Sequence, residues 1–474
     1  MSSRDGGSGP GAMTLSEGGL GNRKVALAVA CFSSFMTPYL SSAVSMALPA
    51  IGRDLGLDAI GLGWVNTAFL VTAAPLLLPF GKLGDMVGRK KIFIIGIAFY
   101  TLFSALASLA PTGGALIAMV ALAGAAASMI FGTGVAILTS VYPPAERGRV
   151  LGINVAFTYA GLSLGPLAGG FLTHEFGWRS VYLLNVPVGL FAFALALIRL
   201  KGEWRGAPGQ RFDFGGALLS AATLAPLIYG LSVLPGAIGY AFIAVSAAAL
   251  MLFIWWEARA KHPLLSIALF QGNKAFGMSN LAALINYSAT FALTFFMSLY
   301  LQYIKGFDPE KAGLILISQP LLMVIFSPLA GRLSDRVEPR LLASSGMAIM
   351  TVMLALFTIL DSATPLGLVV LELVIVGIGY AFFSSPNTNA VMGSVAPPSY
   401  GVASATLGTM RLVGQMLSMG IAMLLLSLGP GRRAITAAVF PEFLGSLHLG
   451  MGIFAALCLV GVFASLARGS RLNP

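Results

Sequence analysis

The segment Gly81-Lys82-Leu83-Gly84-Asp85-Met86-Val87-Gly88-Arg89 has a counterpart in Gly331-Arg332-Leu333-Ser334-Asp335-Arg336-Val337-Glu338-Pro339-Arg340. Gly, a basic residue, Leu, Asp and Val recur at matching places, 250 residues apart (335 minus 85). Each copy is a short polar stretch between two long apolar runs, and each joins the second and third run of a group of six. The chain therefore reads as two homologous halves with two extra runs between them. Parallel repeats of this kind build transporters that rock about a central site.

The composition supports a membrane setting. Of 474 residues, 57% are hydrophobic and 9% charged, against roughly 25% charged in an average soluble domain. A spanning helix needs about 20 mostly apolar residues. Fourteen such runs fall at 24–47, 60–81, 91–110, 115–141, 150–173, 179–199, 214–234, 237–256, 275–303, 312–331, 341–360, 364–386, 400–428 and 446–466. The small-residue stretch Gly124-Ala125-Ala126-Ala127-Ser128 is a surface for close helix contact. The expected organisation is a disordered cytoplasmic tail over 1–22, a six-helix bundle over 23–200, two extra helices with linkers over 201–274, a second six-helix bundle over 275–467 and a short tail over 468–474. Residues 1–22 lack the apolar core and cleavage site of a signal peptide.

The net charge of +11 does not point to nucleic acid, because the charges sit in short clusters between apolar runs. With the N-terminus inside, one set of loops carries 20 Lys and Arg and the other carries 6, with Arg4 and Arg411 set aside. That bias places both termini in the cytoplasm. Cys31 and Cys458 lie far apart inside apolar runs, and His174, His262 and His448 have no ligand spacing, so neither a disulfide framework nor a metal site follows.

On these residues the sequence resembles the major facilitator superfamily, and more narrowly its fourteen-span drug:proton antiporters. The loop from Gly81 to Lys91 is similar to the superfamily's best-known signature. Gly161-Leu162-Ser163-Leu164-Gly165-Pro166-Leu167-Ala168-Gly169-Gly170 resembles the signature associated with antiporters. Trp178-Arg179 with Asn185-Val186-Pro187, Phe212-Asp213-Phe214-Gly215-Gly216, and Tyr300-Leu301-Gln302 before Lys305-Gly306 resemble the fourteen-span group. The resemblance implies an all-α membrane fold of 14 helices (6+2+6). It also implies that Asp85 docks on a neighbouring helix start and holds the cytoplasmic side closed. From the residues themselves, Gly84 and Gly88 permit a tight connection, and Arg89, Lys90 and Lys91 can anchor to lipid headgroups. Gly161, Gly165 and Gly169 share one helix face, and Pro166 removes a helical hydrogen bond. Gly81, Gly170 and Asp335 complete the residues expected in gating.

Ionisable groups inside hydrocarbon are costly and default to function. Two sit well within spans: Glu372 in the twelfth and Arg411 in the thirteenth, with Gln415 one turn on. Glu372 reads as a proton carrier, a cation attractor or an interfacial carboxylate; Arg411 reads as a substrate partner or a bridge between helices. Two departures from the family pattern matter. No acid stands near Tyr39-Leu40-Ser41-Ser42, and Val120 and Ala123 occupy places where the family commonly carries Arg and Gln. Proton coupling is then left to Glu372 or Asp361, or is absent. Polar and aromatic residues in apolar helices are the cleft candidates: Tyr39, Met46, Trp64, Asn66, Phe69, Asn154, Tyr159, Asn286, Tyr287, Phe291, Gln319, Tyr380, Asn387, Arg411 and Gln415. Aromatics with scattered amides, and 20 Met residues, suit amphipathic organic molecules.

The leading expectation is export of lipophilic or amphipathic compounds driven by protons, from a monomer in the cell's inner membrane in contact with lipid. The alternatives are a metabolite facilitator or importer without proton coupling and a non-transporting sensor. Enzyme chemistry is not expected, since no phosphate-binding loop, metal-ligand cluster or nucleophile–base pair is legible, and no cofactor is implied.

Overall fold

The computed structural model describes residues 20–57, 59–265, 267–431 and 439–469. Most of both expected tails, 1–19 and 470–474, lies outside that description, as do Arg432 and Arg433. Among the described residues there is no strand, and fourteen helices are long and apolar enough to cross a membrane. In chain order they are α1 (Leu20–Leu55), α2 (Ala59–Val87), α3 (Arg89–Ser108), α4 (Gly113–Val141), α5 (Pro144–Phe176), α6 (Arg179–Arg199), α7 (Phe214–Ser232), α8 (Ala237–Glu257), α9 (Lys274–Leu299), α10, α11 (Pro339–Leu356), α12 (Leu366–Gly393), α13 (Tyr400–Leu428) and α14 (Phe440–Leu466). α10 is broken at Ile317 into Pro309–Leu316 and Ser318–Leu333, and α9 runs on through a π turn over Tyr300–Ile304. The fourteen expected spans are all present.

Helix is the outcome because lipid offers the backbone no other hydrogen-bond partner. Pro38 and Pro49 in α1, Pro166 in α5 and Pro386 in α12 are carried inside helices for that reason. Where helices start in the polar zone, side chains cap them. Thr112 accepts from Ala115, Asp213 from Gly216, Asn273 from Phe276 and Asp308 from Lys311. α1 has 36 residues and α5 has 33, so both overrun the roughly 20 that hydrocarbon requires and carry helix into the loop zones.

The pairing of helices reveals the duplication. In the first half α1 packs on α5, α4 and α6, α2 on α4, and α3 on α4 and α6. In the second half α9 packs on α13, α12 and α14, α10 on α12, and α11 on α12 and α14. Each of these pairings has its counterpart when eight is added to the helix number. The contacts between halves obey the same rule: α2 with α13 answers α10 with α5, and α4 with α13 answers α12 with α5. α7 packs on α8 and also on α2 and α13, so the extra pair leans against the seam.

The glycine signature of α5 serves packing within the first half. Gly161, Gly165 and Gly169 press against Phe35, Ser42 and Ala43 of α1, where a Cβ has no room. Gly170 meets nothing, because it lies one residue and about 100° further round the helix. Gly124 presses on Phe69 and Thr72 of α2 in the same fashion. We expect Gly165→Leu to cost about 1–3 kcal/mol of stability by overpacking, seen as a lower melting temperature in detergent. Gly170→Leu should leave melting unchanged.

Candidate gate and substrate centre

The basic loops gather at one end of the bundle, and that end is sealed. Gly88 separates α2 from α3 at φ 136°, a conformation that suits glycine. It sets Asp85 one turn before Arg89. Asp85 is buried and accepts the backbone N–H groups of Gly401 and Val402, both at 3.0 Å, in the first turn of α13. Those amides have no partner within their helix, and a helix start favours an anion. Arg89 is buried too. It pairs with Asp85 at 2.7 Å, donates to Ser140 Oγ of α4 at 2.6 Å and to the Pro397 carbonyl at 2.5 Å, and lies over the Tyr400 ring. Removing two charges from water is costly, and here their charge-assisted hydrogen bonds offset the loss. Gly81 faces Gly401 and Ala405 with no space for a Cβ.

The second half repeats the device. Asp335 accepts the N–H groups of Gly148 at 2.7 Å and Arg149 at 2.9 Å on α5. Gly148 and Gly152 lie against Gly331 and Ser327 of α10. The repeat is incomplete, since Pro339 stands where the first copy has Arg89. Gly84 serves a different contact, pressing on Thr133 of α4 within its own half.

A feature not foreseen from sequence lies over the first seal. In the linker between α6 and α7, the Trp204 carbonyl accepts from Arg89 N–H, and the Asp85 carbonyl accepts from Gly206 and Ala207. Glu203 accepts from the Lys90 amide, and Lys82 Nζ donates to Gln210. Gly206 lies against Pro398. The Lys and Arg of this linker read as topology alone, and no motif announced its backbone bonds.

Above the seal, near the middle of their helices, Tyr159 of α5, Tyr287 of α9, Tyr380 of α12 and Arg411 of α13 come together. The rings of Tyr159 and Tyr287 stand edge-on to Tyr380, with centroids 5.8 Å and 5.6 Å away. Tyr159 OH donates to Ser384 Oγ at 3.2 Å, a hydrogen bond between the halves. The Arg411 guanidinium lies over the Tyr287 ring at 5.1 Å, and its buried Nε has no hydrogen-bond partner. Gln415 is half-buried one turn on.

The other cleft candidates are scattered. Asn154 accepts from Ser34, tying α5 to α1, and Tyr39 stacks on Phe35 in the same seam. Trp64 stacks on Tyr229 of α7, so it faces the extra helices. Asn286 donates weakly to Met350 inside the second half. The Gln319 backbone abuts Gly377, and Asn387 is buried. Met46 and Phe291 are exposed. The side chain of Asn66 lies outside the description. Phe69 lines a cavity of about 40 Å³ within the first half, bounded also by Val120, Ala123, Thr37, Tyr100, Ser104 and Tyr182. Small apolar side chains at 120 and 123 thus leave a void there.

The two carboxylate candidates differ. Asp361 lies in the loop between α11 and α12, where the Thr364 hydroxyl and then its backbone amide hold the carboxyl below the usual carboxylate range. It remains a fixed charge at neutral pH. Glu372 is buried in α12, between fully buried Val369, Leu373 and Val376, with one carboxyl oxygen unpartnered.

The sequence profile of the Major Facilitator Superfamily matches residues 30–419 and 279–472. The chain belongs to that superfamily. The cephamycin export protein CmcT of Amycolatopsis lactamdurans is 33% identical over 458 residues, covering 94% of this chain and 93% of that one. The riboflavin transporter RibZ of Clostridioides difficile (strain 630) is 29% identical over 390 residues, covering 82% of this chain and 84% of that one. Among solved structures, the human organic anion transporter MFSD10 superposes with a TM-score of 0.64 over 94% of this chain and 98% of that one, at 15% identity. That likeness concerns the fold alone.

In this superfamily member the Asp85 seal is open to a direct test. Asp85→Ala removes an anion that two amides and one guanidinium share, at a cost of about 1–2 kcal/mol. A cysteine introduced at Ala405 is expected to label from the basic side about 5–30-fold faster in that background. An unchanged rate would mean that the seal does not depend on this carboxylate.

Proposed function

We propose that this chain is a secondary active exporter of lipophilic or amphipathic small molecules, working by alternating access and driven by proton antiport. The observation that carries the reading is the paired seal. Asp85 on α13 and Asp335 on α5 are equivalent clasps, each joining one half to the other at the basic end. A seal built from two equivalent clasps opens by rigid movement of the halves, which exposes the centre to one side at a time. The named export activity of CmcT supports the outward direction.

In this reading the basic end faces the cytoplasm of the cell's inner membrane, both termini lie inside, and the monomer is the working unit. The small-molecule substrate occupies the layer of Tyr159, Tyr287, Tyr380 and Arg411. Glu372 is the coupling carboxylate: buried and partly unpartnered, it trades a proton for exposure as the halves move. Asp361 is poorly suited to that task because Thr364 holds its charge. A second reading, uptake of a metabolite without proton coupling, draws on RibZ and on the void at Val120 and Ala123.

Cells expressing the protein are expected to accumulate less of a lipophilic dye, and a protonophore should abolish the difference. Unchanged accumulation across a chemically broad panel removes export, and efflux that survives collapse of the gradient removes proton coupling. Glu372→Gln should flatten the pH dependence of transport in proteoliposomes. Retention of the wild-type pH profile would show that another group carries the proton.

A further inference from the structure

At the centre of the bundle stands a cation, Arg411, with no carboxylate partner among the described residues. The spans carry few charges, and most sit near the basic end, where Asp85 and Arg89 satisfy each other and Lys82 reaches Gln210. The acid nearest the centre by sequence, Glu372, lies eight residues from Tyr380 on α12, about 12 Å along the axis. No carboxylate pairs with Arg411 among the described residues.

Other arginines of this chain show what a structural role looks like. Arg89 spends its donors on Asp85, Ser140 and Pro397. Arg179 donates to Asp54 and to the Ala110 carbonyl. Arg147 donates to the Tyr142 carbonyl. Arg411 leaves Nε without a partner, as Arg468 does just beyond the end of α14, but Arg411 does so at mid-helix, resting on the face of Tyr287. A tyrosine face attracts a cation without cancelling its charge. An uncompensated guanidinium at mid-membrane is expensive and marks a functional position.

We propose that the transported molecules are amphipathic organic anions, with a carboxylate or sulfonate held by Arg411 and an aromatic body lying against Tyr159, Tyr287 and Tyr380. The proposal rests on the transporter reading above and narrows its substrate. The planar guanidinium matches a two-oxygen acid group, and the edge-on tyrosine walls match a flat ring. The contact also crosses the seam. Tyr159 belongs to the first half, while Tyr287, Tyr380 and Arg411 belong to the second. An anion seated among them displaces the Tyr159–Ser384 hydrogen bond, so occupancy at the centre acts directly on the contact between halves.

The test is binding of three size-matched probes to the purified full chain: 1-naphthalenesulfonate, the neutral 1-naphthalenesulfonamide and the cation 1-naphthyltrimethylammonium. The anion is expected to bind at least tenfold tighter than either counterpart, the scale of one buried charge-assisted contact. Arg411→Gln should erase that preference and Arg411→Lys should keep part of it; the comparison of probes on the unaltered chain does not depend on either variant folding. Equal affinities, a preference for the cation, binding of none of the three, or an anion preference that survives Arg411→Gln each overturn the proposal. The dye-export assay decides the transporter reading separately. Export of cationic dyes by a chain that shows no anion preference would sink this proposal and leave export standing.

Discussion

A carboxylate placed against the backbone amides of a helix in the opposite half, and placed there twice, is the constraint from which the rest of this structure follows. Asp85 meets Gly401 and Val402; Asp335 meets Gly148 and Arg149. Each contact needs the two helices nearly backbone to backbone, and glycines at 81, 401, 148, 152 and 331 permit that approach. The charge that makes the contact is useful only when the halves meet.

The two clasps are related by the duplication but are not equal. The first has Arg89, which ties Asp85 to α4, Pro397 and Tyr400, and it is overlaid by the linker through Trp204, Gly206 and Ala207. The second has Pro339 in the equivalent place. The linker leads into α7, which packs on both α2 and α13. The two additional helices are thus joined to the seam through their own packing and through their connection. The first clasp is therefore tied to α4 and to the linker as well as to α13, an asymmetry that the repeat alone does not imply.

The seal and the centre share helices. α5 carries Gly148 and Gly152 at the basic end and Tyr159 at the middle; α13 carries Gly401 and Val402 at its start and Arg411 at its middle. One continuous helix thus joins each clasp to the centre. In the same layer Tyr159 reaches Ser384 across the seam, so the halves also touch through side chains at the centre.

Much of the fold was legible in the chain itself. Apolar runs as long as hydrocarbon is thick must become helices, because lipid satisfies no backbone group, and the duplicated Gly81 and Gly331 segments fixed how those helices group. Asp85 and Asp335 were legible as a matched pair for the same reason. The centre was legible only in part. Tyr159, Tyr287, Tyr380 and Arg411 stand together, but Trp64 turned toward α7, Asn286 into the second half and Phe69 into a cavity of the first. Helical periodicity says which residues share a face of one helix and not which neighbour that face meets. The linker over the first clasp was illegible because its contacts are made by backbone groups, which every sequence has. Which charges exist and how deep they lie was decided by the sequence; which of them find a partner, and that no carboxylate among the described residues pairs with Arg411, was decided only when the helices packed around one seam.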